Sequence, residues 1–62
     1  MSDLEYWEAV TVAIEAFGLD RSDAQGIVMI PANDVLIHEG FVEGREPAAV
    51  AANIMGGMPH GQ

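Results

Sequence analysis

Proline and glycine punctuate this chain so regularly that no helix in it can run far. Gly18, Pro31, Gly44 with Pro47, and the pair Gly56-Gly57 cut the 62 residues into short stretches. Glycine ends a helix at little steric cost, and proline removes a donor and clashes with the turn before it. Between these breaks apolar residues recur at helical spacing, and no alternating strand pattern survives. The spacing predicts an all-α fold, a compact bundle of three to four short helices. Residues 1–56 form its single domain, and 57–62 are expected to be a flexible tail.

The first helix is the clearest. Ser2 or Asp3 can cap it, and Tyr6, Trp7, Val10, Ala13, Ile14 and Phe17 fall on one arc. Gly18 stands where a terminating glycine belongs. Glu5, Glu8 and Glu15 share the opposite side, with Val12 among them. A second helix opens on Ser22-Asp23-Ala24-Gln25, which fits the capping-box pattern, and continues through Ile27 and Val28.

Pro31 then poses a choice. One helix from Ser22 to Glu43 would place Asp34 in the middle of a stripe made by Ile27, Ile30, Ile37 and Phe41. An unpaired carboxylate there is costly. A break at Pro31–Asn33 is favoured, with Asn33 or Asp34 capping a third helix that runs to Glu43. Glu46-Pro47 opens a fourth, rich in alanine, which ends at Gly56-Gly57. The expected core is Trp7, Val10, Ile14, Phe17, Ile27, Ile30, Ile37, Phe41 and Ile54.

Charge excludes whole classes of function. Ten acids stand against two arginines and no lysine, for a net charge of −8. Nucleic-acid binders need cations to displace the counterions condensed on phosphates, so direct DNA or RNA binding is not expected. Anionic membranes repel the same surface, and no apolar run approaches the roughly 18 residues that span a bilayer. The N-terminus is acidic where a signal peptide is basic. These features lead to the expectation of a cytoplasmic protein.

Little in the chain offers catalysis. There is no cysteine or lysine, and Ser2 and Ser22 both read as caps. His38-Glu39 lacks the second histidine of a zinc-protease motif, because Val42 stands at that position. Asp34 and His38, four residues apart, can face each other on one helix turn, but no third metal ligand is evident. His60 lies in the tail. The expectation is a protein without enzymatic activity, metal or cofactor.

What remains is binding. Domains of about 60 residues bury only about 60% of their unfolded surface, so self-association is a common support. Val12, Val28, Val35 and Val42 look like excess apolar surface, and the last three are spaced by seven. The leading expectation is therefore a small acidic interaction module that binds another protein and forms a homodimer. The alternative takes the acids as a phosphate-like array that occupies the groove of a basic nucleic-acid-binding protein. In size and charge the chain resembles small acidic inhibitors of phages and plasmids, including anti-CRISPR and anti-restriction proteins. On either reading the expected contact surface is Glu5, Glu8, Val12 and Glu15, extended by Asp20 and Asp23.

Overall fold

Local chemistry of serine, proline and glycine sets several of the helix boundaries. A computed structural model describes residues 1–57, and among them it contains four α-helices and no strand. They are α1 (Asp3–Glu15), α2 (Arg21–Val28), α3 (Pro31–Glu43) and α4 (Pro47–Gly56). The expected tail lies, beyond Gly57, outside the described residues. No helix is long and apolar enough to cross a membrane among the described residues.

Ser2 and Glu5 close a reciprocal box at the head of α1. The Glu5 amide donates to Ser2 Oγ at 3.2 Å, and the Ser2 amide donates to Glu5 Oε1 at 2.7 Å. Two of the orphan donors of a helix start are thereby satisfied. Pro47 begins α4 at a position where its missing N–H costs nothing. Gly44 ends α3 with φ of 74°, a left-handed conformation that glycine adopts freely.

Two boundaries differ from expectation. The Ser22 capping box does not form, because α2 already begins at Arg21 with Asp20 as its cap residue. Ser22 is thus inside the helix. The side chain of Arg21 reaches back to Glu8 and Glu15 of α1, which anchors the chain one residue before Ser22. The break at Pro31 is real, but neither Asn33 nor Asp34 is the cap of α3. Pro31 itself is the first helical residue, preceded by Ile30 in an extended conformation. Asn33 caps backward instead: its Nδ2 donates to the Ile27 carbonyl at 3.0 Å, at the end of α2.

The buried apolar residues are Tyr6, Val10, Ile14, Ala24, Val28, Ile37, Val50, Ala51 and Ile54. α1 packs most extensively on α4, then on α2. Thr11 is also buried, and its hydroxyl donates to the Trp7 carbonyl at 3.0 Å. Of the expected core, Val10, Ile14, Ile37 and Ile54 are fully enclosed, and Trp7, Ile27 and Phe41 pack against it half-buried.

Phe17 and Ile30 are corrections, at 53% and 42% exposed. Phe17 lies past the end of α1 and leaves its helical arc, and Ile30 sits in the link between helices. Ala24, Ala51 and Gly40 join the branched aliphatic residues inside, where the helices approach closely. Gly40 shows how closely. A Cβ there would stand 2.5 Å from Val50 Cγ2 and 2.7 Å from Tyr6 Oη. The valine series fails as a ridge: Val28 is inside the core, and only Val12, Val35 and Val42 face out.

Candidate interaction surface

The helices leave a groove with an apolar floor. It opens between the first half of α1 and α3, with a volume of about 270 Å³. Leu4 and Trp7 line it from α1, and Ile37, His38 and Phe41 from α3. Tyr6 and Phe41 join the two helices at its base, ring centroids 5.6 Å apart and planes tilted by 59°. The separation lies within the range in which aromatic pairs attract. Trp7 is fixed from the opposite helix, since its indole N–H donates to Asp34 Oδ1 at 3.3 Å.

Leu4 is 77% exposed at the lip of the groove. Helical periodicity places Val35 and Val42, both exposed, on the strip of α3 that also carries His38. Asp3 and Asp34 supply carboxylates to the groove wall. Neither makes an ion pair among the described residues, where Arg21 pairs with Glu8 and Glu15, and Arg45 with Glu43. The expected Asp34–His38 pair is not what holds Asp34. Its hydrogen bond goes to Trp7, because a half-buried indole N–H needs an acceptor more than a solvated imidazole does. No cluster of three or more potential metal ligands exists among the described residues.

A second depression of about 320 Å³ covers the α3–α4 turn, lined by Met1, Gly44, Arg45, Glu46 and Pro47. Tyr6 and Phe41 also line it, so its floor is apolar, and Arg45 and Glu46 place charge at its wall. The buried Tyr6 hydroxyl nearby has no hydrogen-bond partner among the described residues, and burial pushes its pKa up.

The surface read from the sequence is arranged differently. Glu5 is engaged in the box with Ser2, whose backbone and side-chain hydrogen bonds hold its carboxyl below the ordinary 4.5. Glu8 and Glu15 converge on Arg21, at 2.6 and 3.0 Å. Val12 is 51% exposed on the same side of α1. Asp20 and Asp23 are exposed at the start of α2. The six residues therefore do not form an unbroken acidic array, because a guanidinium sits among them. The groove residues Leu4, Asp34 and His38 were not read as a surface. Two signals pointed that way: Leu4 lies off the apolar arc of its helix, and Trp7 carries a donor that needs a polar acceptor.

Comparison with models of protein families, with curated proteins and with solved structures finds no match.

Proposed function

We propose that this chain is a non-enzymatic protein–protein interaction module that receives its partner in the α1–α3 groove. The observation that carries the proposal is the groove itself: Leu4 stands exposed over Trp7 and Phe41, both half-buried, with Val35 and Val42 on the adjoining strip. Contiguous apolar surface rimmed by polar groups marks interaction sites. Aromatic residues in partly enclosed positions supply most of the binding energy at such sites. Trp7 is also held in one orientation by Asp34, so little side-chain freedom is lost when a partner covers it.

The test is affinity capture from a native lysate with quantitative mass spectrometry, using the parent chain, Leu4→Glu and Val12→Asp. Both substitutions are at exposed positions and leave the core intact. A protein recovered by the parent and by Val12→Asp but lost with Leu4→Glu supports the groove. Recovery that survives Leu4→Glu overturns it.

Nucleic-acid mimicry through α1 has less support, since Arg21 neutralises part of the charge at Glu8 and Glu15. A homodimer loses its motive with the burial of Val28 and sets one charge of −8 against another.

A further inference from the structure

We infer that the occupant of the α1–α3 groove is a cationic amphipathic helix of another protein. The inference rests on the interaction-module reading and adds the chemistry of the partner. Shape gives the first half of the argument. A space of about 270 Å³ lies just below the range of roughly 300–1,000 Å³ typical of small-molecule sites. It is open along one side and bounded by two helices, so it suits side chains delivered from outside. An amphipathic helix delivers such side chains at i, i+3, i+4 and i+7. A peptide that docks by strand addition would need a sheet edge, and there is no strand among the described residues.

Charge gives the second half. Asp3 and Asp34 stand in the groove wall without ion-pair partners among the described residues. Both arginines of the chain are engaged elsewhere, Arg21 by Glu8 and Glu15 and Arg45 by Glu43. The chain contains no lysine. The carboxylates of Asp3 and Asp34 thus stand unneutralised by any arginine, and lysine or arginine flanking the apolar anchors of a partner complements them. A second copy of the chain fits poorly, because it brings a charge of −8, and both of its arginines are already paired within the chain. Nucleic acid and anionic lipid fail on sign.

The experiment is selection of a random peptide library lacking tryptophan on the immobilised full chain. Enriched peptides are then titrated against the parent, with Trp7, the sole tryptophan, as the fluorescent reporter inside the groove. The expected winners carry Lys or Arg beside apolar residues at helical spacing and gain helical circular dichroism on binding. Leu4→Glu should weaken them by about tenfold or more. That variant is one charge more negative, so mere electrostatic adsorption would strengthen instead. Asp34→Asn can still accept from the Trp7 indole, and it should weaken binding chiefly at low salt. Val12→Asp should not.

Winners that depend on Leu4 but are neutral, acidic or non-helical overturn the cationic helix and leave groove docking standing. Winners indifferent to Leu4→Glu, or no winners at all, overturn both. A Leu4-dependent dimer in sedimentation makes the occupant a second copy and overturns the inference.

Discussion

Replacing Gly40 by alanine should destabilise this protein, although the same change in an ordinary helix interior stabilises by about 1 kcal/mol. Gly40 is the point where α3 meets Val50 of α4 and Tyr6 of α1. The added methyl would lie 2.5 Å from Val50 Cγ2 and 2.7 Å from Tyr6 Oη, well inside contact distance. Neither neighbour can swing away, since both are buried and the Tyr6 ring is held against Phe41. Relief therefore requires the helices to part, which loosens the packing around Ile37 and Ile54. Overpacking of this kind costs about 1–3 kcal/mol. With two constrained neighbours the upper half of that range applies, and the helix-propensity gain leaves a net loss of about 1–2 kcal/mol. For a chain of this size that corresponds to a drop in Tm of about 5–15 °C. Thermal melts followed by far-ultraviolet circular dichroism give the comparison. Gly26→Ala is the control, because a Cβ there meets nothing within 4 Å and the helix should gain. Tyr6→Phe removes one of the two clashes and an unpartnered hydroxyl, so it should recover part of the loss in the Gly40→Ala background. If Gly40→Ala melts at or above the parent, the close approach of α1, α3 and α4 described above is wrong.

Ile54→Ala should cost about 2–5 kcal/mol by leaving a cavity, whereas Phe17→Ala should stay within about 0.5 kcal/mol despite the larger side chain; urea titrations of the two rank them directly. Asn33→Ala removes the side-chain bond to the Ile27 carbonyl and should cost about 1 kcal/mol, read by the same titration, with Asn33→Asp no rescue because the donor is lost. The Glu5 carboxyl is lowered in the folded state, so its contribution is complete above the unfolded value near 4.5 and disappears as pH falls through the lower folded value. Glu5→Gln, which can still close the box through its amide oxygen, should flatten that acid limb in melts recorded as a function of pH; an unchanged limb would place the pH dependence elsewhere.

The helix boundaries were legible where the interaction that makes them is local. Ser2 with Glu5, Pro47 at a first helical position and Gly44 in a left-handed turn each act within about one turn of chain. Ser22 misled because its box competes with a contact from Arg21 to residues six and thirteen positions earlier, which no local pattern encodes. Asp34 was recognised as a misfit on an apolar stripe. Its resolution, an indole N–H from a helix twenty-seven residues away, was not.

From its own pattern the sequence determined an all-helical fold, a break at Pro31 and a strongly acidic net charge. These follow from backbone sterics, capping and residue counts, which need no knowledge of neighbours. Only the tertiary structure decided what each helix face meets. Periodicity assigns an angle around an axis but not the element that occupies it. Phe17 and Ile30 are exposed because they lie outside the helices, whereas Ala24, Gly40 and Ala51 are enclosed at positions where helices meet. The groove beneath Leu4 is what that arrangement leaves uncovered.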